Sequence, residues 1–421
     1  MSGRIDSSAS TEQRNAVLNI AEGAVFIAGS AFISSQTVLP ALVSRLGGSN
    51  VAVGAIGVLT WIGLFLPQIL SARFVQASPW KKQWTVRFGF LQRVFALLIG
   101  FGVLLVGGTS PGLALWALFL LYGAMQLVMG ITTPWWFDLF AKLTPVRKRG
   151  RVVGIRNSIG AACAFMCGIV LTWLLGATEF PTSYAFAFLC AGSIQMLSLI
   201  LQQRLIETEP SAVVESKSLA SYVRQLREVL RMNKEFRAFV ISSAVLILAT
   251  MPTGFFTVYA LKHFHAPESI VGEFTLTIVA TQVVSSFVNG FVADRFGNKI
   301  AVILASTSML LASIWALLAP TLSSFVIVFM FLGAHLGSEL LARYNMSIEY
   351  GPPEQRSTYV GLMNTILAPI YLCGLLGGWI SDQFGYQTVF MIGAIFSAIG
   401  LALFIFWVKD PRTAMVEAKQ Q

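Results

Sequence analysis

Apolar runs of about 20 residues or more recur along this chain, each long enough to cross about 30 Å of hydrocarbon at about 1.5 Å per residue. Twelve are distinguishable, at about 16–43, 51–72, 83–107, 112–141, 150–175, 183–205, 236–262, 267–293, 299–319, 323–345, 356–380 and 387–408. In lipid every backbone amide and carbonyl must find a partner inside the protein, so such runs have to be helices. A barrel would instead alternate polar and apolar residues over segments of about ten. Only 11% of the 421 residues are charged, against about 25% in soluble domains. The sequence therefore predicts an all-α membrane protein of twelve transmembrane helices. Several runs exceed the minimum length, which implies tilt or protruding ends.

The formal charge of +10 raises the question of nucleic acid, and its distribution answers it. With a cytoplasmic N-terminus and twelve spans, only Arg45 and Lys262 fall outside. Lys81, Lys82, Arg147, Lys148, Arg149, Arg151, Arg224, Arg227 and Arg231 all fall inside or near inner helix ends. That is the positive-inside asymmetry, and moving the count by one span would scramble it. The basic excess reads as topology, with both termini cytoplasmic and no nucleic-acid partner. Cys163, Cys167, Cys190 and Cys373 lie inside the spans, where small buried apolar residues are expected rather than metal ligands. Residues 1–15 are polar and lead into a run too long for a cleaved signal, so that run is expected to remain as the first span.

The longest polar break, about 207–235, leaves an N-terminal six-helix bundle over 1–206 and a C-terminal one over 236–421. Within it Leu219, Tyr222, Val223, Leu226, Val229 and Leu230 fall on one side of a helix, with Lys217, Arg224, Arg227 and Arg231 on the other. Such a linker helix can lie on an anionic inner leaflet. The halves echo each other: Pro145, Arg149 and Gly154 entering span 5 keep the spacing of Pro352, Arg356 and Gly361 entering span 11. A second echo joins Gly290-Phe-Val-Ala-Asp294-Arg-Phe296-Gly297 to Gly378-Trp-Ile-Ser-Asp382-Gln-Phe384-Gly385. These loops are expected on opposite membrane faces, as in an inverted 3+3 repeat nested in a pseudo-two-fold pair.

The loop Gly290-x-x-Ala293-Asp294-Arg295-x-Gly297-x-Lys299, together with Glu349-x-x-Pro352-x-x-x-Arg356, resembles the motifs of the major facilitator superfamily. The resemblance implies a secondary transporter that works by alternating access, without cofactor, metal or covalent chemistry. It also implies that Gly290, Asp294, Arg295, Gly297, Lys299, Glu349 and Arg356 form an inner gating motif. Asp294 sits at the negative end of its helix and needs cations such as Arg356 or Arg343 nearby. The N-terminal half departs from this pattern: Ala77 stands where the acid should be, and Lys142 stands where Glu349 does. Asp138, one turn before Lys142, is a candidate substitute.

Ionisable residues within spans are expensive and mark candidate function. His335, Glu339 and Arg343 follow each other at helical spacing in span 10, a proton relay or else a structural Glu339–Arg343 pair. Glu22 in span 1 has Arg156 at similar depth, as a static pair or a proton site, while Arg87 and Arg93 are expected to snorkel. By analogy with the superfamily, spans 1, 4, 7 and 10 line a cavity, to which Gln36, Gln126, Thr133, Trp136, Thr253, Phe256 and Tyr259 are candidate contributors, with Pro252 as a hinge. This neutral, aromatic lining suits a small amphipathic or weakly polar organic solute. No nucleotide-binding loop appears, which argues against primary pumping by this chain alone. The expected protein is a monomeric transporter of a bacterial inner membrane, with lipid and small solute as its partners and protons as candidate coupling ions. A non-transporting assembly factor, sensor or lipid-handling protein on the same fold stays open as the alternative.

Overall fold

The computed structural model describes residues 2–213, 219–352 and 356–411, and among them there is helix and no strand. Twelve helical spans run Ser10–Arg45, Asn50–Ala77, Lys82–Val106, Pro111–Leu143, Val146–Ala177, Thr182–Gln203, Lys234–His263, Ile270–Phe296, Asn298–Leu318, Leu322–Tyr350, Tyr359–Phe384 and Tyr386–Phe406. They fall where the apolar runs place them, and they are numbered 1 to 12 below.

Four spans are interrupted. Span 1 passes from Ser2–Ser30 through a 3-10 turn, Ala31–Ile33, to Val38–Arg45. Span 7 breaks between Leu248 and Thr253, where Pro252 caps the second piece; its ring cannot donate a backbone hydrogen bond. Span 10 breaks between Leu336 and Glu339, and span 11 passes through a 3-10 stretch at Ala368–Leu372. Interruptions at membrane depth require internal partners for the freed backbone groups. Span 8 supplies them for span 10: Ser285 Oγ donates to Ala334 O at 2.6 Å and Ser286 Oγ to Gly337 O at 2.6 Å. Asn289 donates to both Ser285 and Ser338. The close approach rests on two glycines, because a Cβ at Gly333 would lie 2.0 Å from Thr281 Oγ1 and one at Gly337 would lie 2.4 Å from Gln282 O.

Contacts divide the chain into two compact units, Met1–Ser34 with Leu59–Lys217, and Ser35–Val58 with Ser218–Gln421. In the first unit spans 2 and 4 meet at Gly63 and Gly130, where a Cβ on Gly130 would lie 2.4 Å from Gly63 O. The second unit includes the stretch joining spans 1 and 2. There Asp382 accepts from the amides of Asn50 and Val51 at 3.2 and 3.4 Å, at the N-terminal end of the helix Asn50–Ala77. A carboxylate is favourable at that end of a helix. The linker helix forms over Leu219–Met232, with Val229 buried and Arg224, Arg227 and Arg231 exposed. The expectations for Lys217, Leu219, Tyr222, Val223 and Leu226 lie outside the described side chains.

Candidate functional site

The two echoing loops share a backbone conformation. Gly297 (φ 96°, ψ 157°) and Gly385 (φ 84°, ψ 166°) each end one helix and begin the next. Positive φ is strained for residues with a Cβ, so the glycine in each G-x-x-x-D-x-F-G is explained by the turn itself. The amides of Gly297 and Gly385 donate back to Ala293 O and Ser381 O, both at 3.0 Å.

In the second unit the candidate gating residues gather around this turn. Glu349 accepts from Asn298 Nδ2 at 2.9 Å, and Asn298 Oδ1 accepts from Asn345 at 3.3 Å. Lys299 Nζ donates to Ile405 O at 3.2 Å, while Arg295 lies over the Phe296 ring at 5.4 Å. Asp294 is exposed, as is Gly290, whose missing side chain would meet open space. Asp410 closes over Gly297, its Oδ2 lying 2.6 Å from where a Cβ would stand. Arg356 opens the helix Arg356–Leu367, and the expectation for its side chain lies outside the described residues. Asn298 and Asp410 carry no family pattern, and the sequence reading passed over both.

Two acids pair with lysines of the N-terminal half. Asp138 pairs with Lys81 at 3.0 Å, and Glu207, just after span 6, pairs with Lys142 at 2.7 Å. The same Glu207 carboxylate accepts from the amides of Lys81 and Lys82 at 3.0 and 2.9 Å, capping span 3. Arg149 donates from Nε to Thr144 O at 3.0 Å. Asp138 was singled out by its position in the sequence; Glu207 was not, because it reaches its partners from a segment distant in sequence.

Span 10 carries the candidate relay residues in a bent arrangement. Glu339 and Arg343 pair at 3.2 Å, and Arg343 also donates to Tyr371 OH at 3.3 Å. His335 precedes the break, and its Nδ1 lies 3.0 Å from Ala305 O. The three residues therefore do not lie along one straight helix.

Glu22 is buried in the first unit between two arginines, with Arg93 and Arg156 each at 4.0 Å and Ser198 Oγ donating at 3.3 Å. Arg93 does not snorkel. It is only 3% exposed and gives hydrogen bonds to Gln195 O, Gly89 O and Ser198 Oγ at 2.5, 2.8 and 2.8 Å. These acceptors remove the reason for its head group to reach the interface. Arg156 lies over the Trp136 ring at 4.6 Å, a cation–π contact.

The remaining cavity candidates divide between the units. In the first, Gln126 donates to Tyr122 OH at 3.2 Å and Thr133 turns its hydroxyl to its own helix, at Met129 O. In the second, Gln36 O accepts from Thr257 at 2.9 Å, and Thr253 is half-buried. Phe256 is fully buried against Phe390, and Tyr259 lies among His263, Phe325, Tyr386 and Phe390. Outside the membrane-spanning helices, Glu268 pairs with Arg45 at 3.0 Å. Burial pushes its carboxyl above the usual range, and Arg45 offsets this only in part.

Twelve spans in two units, four of them interrupted, with ionisable residues at depth, define the architecture of a solute-transporter fold. Residues 238–421, the second six-span half, match the family model of the Major Facilitator Superfamily. The chain is 26% identical over 155 residues to the cis,cis-muconate transport protein of Acinetobacter baylyi, covering 34% of this chain and 37% of that one. It is 27% identical over 168 residues to the 4-hydroxybenzoate transporter of the same organism, covering 38% and 35%. The matched segment thus spans little more than a third of the length of either relative. The nucleoside transporter NupG superposes with a TM-score of 0.72 at 14% identity, covering 95% of this chain and 100% of that one, a likeness of fold.

Proposed function

We propose that this integral membrane protein is a secondary transporter that moves a small amphipathic or weakly polar organic solute by alternating access. The observation that carries the reading is the interrupted span 10, whose break is braced by serines and an asparagine of span 8 and is followed by the ion pair of half-buried Glu339 with buried Arg343. A break of this kind places polar backbone and ionisable groups at membrane depth, where static packing gains little from them and an ion or solute path requires them. The activities of the two relatives, transport of muconate and of 4-hydroxybenzoate, support the same reading. The protein acts as a monomer in a bacterial inner membrane with both termini cytoplasmic. It can couple to protons through Glu339 and His335 or through Glu22. Asp294, Glu349 and their neighbours form one inner closure; Asp138 and Glu207 rebuild the other.

Uptake into proteoliposomes, with and without an imposed pH gradient, tests this across a panel of small organic compounds. Gradient-driven accumulation lost in Glu339→Gln supports coupling through span 10. Accumulation unchanged by that substitution reduces the pair to a structural role. Failure to accumulate any compound, by protein shown to be folded, argues against transport.

A further inference from the structure

The second compact unit is not made of the C-terminal six spans alone. It also holds residues 35–58, the end of span 1 and the first turns of span 2, and span 2 passes into the first unit only at Leu59. The seam between those first turns and span 11 is built from glycine. A Cβ on Gly54 would lie 1.9 Å from Gly374 O, and one on Gly378 would lie 2.4 Å from both Asn50 O and Val51 Cα. Asn50, Gly54 and Val58 recur at every fourth position, as do Gly374, Gly378 and Asp382, so each series follows one face of its helix. Small residues are what allow helix backbones to approach this closely in a membrane.

The seam ends on a charge. Asp382 holds the acid position in the second copy of the repeated motif, where Asp294 stands in the first. Its two oxygens accept from the amides of Asn50 and Val51 at 3.2 and 3.4 Å. Those amides open the helix Asn50–Ala77, whose first turn carries no acid of its own. A carboxylate at that end complements the helix dipole. Gly385, at φ 84°, turns the chain so that Tyr386 reaches the same residue, its hydroxyl donating to Asn50 Oδ1 at 2.7 Å.

We propose that Asp382 and the glycine seam form a latch, holding span 2 on span 11 at the membrane face opposite the Gly297 turn, and that this latch releases when that face opens. The inference rests on the transporter reading, in which that face is the outer one. It gives the second copy of the motif a role separate from the inner closure around Asp294 and Glu349. The carboxylate is exposed, so its share is modest and screened by salt, and backbone packing along the seam supplies the rest.

The test reads the exposure of Val58, one turn beyond Gly54 and 9% exposed, whose Cγ2 lies 3.4 Å from where a Cβ on Gly374 would stand. With Cys163, Cys167, Cys190 and Cys373 replaced by serine, Val58→Cys in oriented proteoliposomes is treated with a membrane-impermeant maleimide from each face in turn. Labelling from the Asp382 face should be slow in the parent. Asp382→Lys sets a cation on the helix end, and Gly378→Ala drives a methyl against the backbone of Asn50 and Val51. Each should speed labelling from that face about fivefold or more. Gln383→Lys adds the same charge at the exposed neighbouring position and should label as the parent does. Labelling at the parent's rate in either Asp382→Lys or Gly378→Ala, shown to be folded, overturns the latch. If that protein still accumulates a compound of the solute panel, the transporter reading stands without it. A rise from both faces alike, or an equal rise in Gln383→Lys, overturns the latch as well.

Discussion

Alanine at Gly333 should loosen the packing of span 10 on span 8. The new methyl would stand 2.0 Å from Thr281 Oγ1, 2.5 Å from Ile278 O and 2.9 Å from Ile278 Cα. The threonine can rotate away, but the two backbone atoms cannot, so the helices must separate by several tenths of an ångström. Overpacking of this kind costs about 1–3 kcal/mol. Separation also lengthens the bonds from Ser285 and Ser286 to Ala334 O and Gly337 O, now 2.6 Å each, which adds roughly 1 kcal/mol for each bond lost. The total is about 2–5 kcal/mol, set against the small gain from alanine's better helix propensity. Gly290→Ala is the matched control, since a Cβ there meets nothing within 4 Å, and it should be neutral or gain up to about 1 kcal/mol. Heating detergent-purified protein and following the monodisperse fraction by size exclusion reads both. Gly333→Ala should lose several degrees while Gly290→Ala loses none. Equal midpoints for Gly333→Ala and the parent would refute the claim that this glycine sets the distance between the spans.

Other substitutions have separable outcomes. Glu207→Gln removes a buried partner of Lys142 and weakens the cap on Lys81 and Lys82; it should cost about 3 kcal/mol, against at most about 1 kcal/mol for the half-exposed Asp138→Asn, both read by thermal inactivation. Gly385→Ala places a Cβ at φ 84° and should destabilise by about 1–2 kcal/mol, by the same assay. The raised carboxyl of Glu268 binds its proton more tightly folded than unfolded. Its contribution is therefore most favourable below the ordinary carboxyl value and declines as pH rises through the raised one. Stability profiles should accordingly lose part of their fall over that window in Glu268→Gln, an outcome checked by melting from acid to neutral pH.

Much of the fold was legible because lipid leaves few options. Uninterrupted apolar length fixed the spans, and the repeated G-x-x-x-D-x-F-G located two turns whose glycines, Gly297 and Gly385, adopt the same conformation. The breaks were less legible. Pro252 announced one, whereas Gly337 and Ser338 break span 10 only because Ser285, Ser286 and Asn289 receive the freed groups from another span. Periodicity could not assign faces in span 7, which is apolar all round, so Phe256 was as plausible facing a cavity as in its actual place against Phe390. The charged clusters split along the same line. Glu339 and Arg343 are four residues apart and visible in sequence. Glu22 with Arg93, and Lys142 with Glu207, are joined only by the fold.

Alternating access is tested most directly at Asn157, the exposed polar residue beside Arg156. In a background with Cys163, Cys167, Cys190 and Cys373 replaced by serine, Asn157→Cys would be treated in oriented proteoliposomes with a membrane-impermeant maleimide from each face in turn. Alternating access requires labelling from both faces, in proportions that shift with solute or pH. Labelling from one face alone under every condition would contradict it.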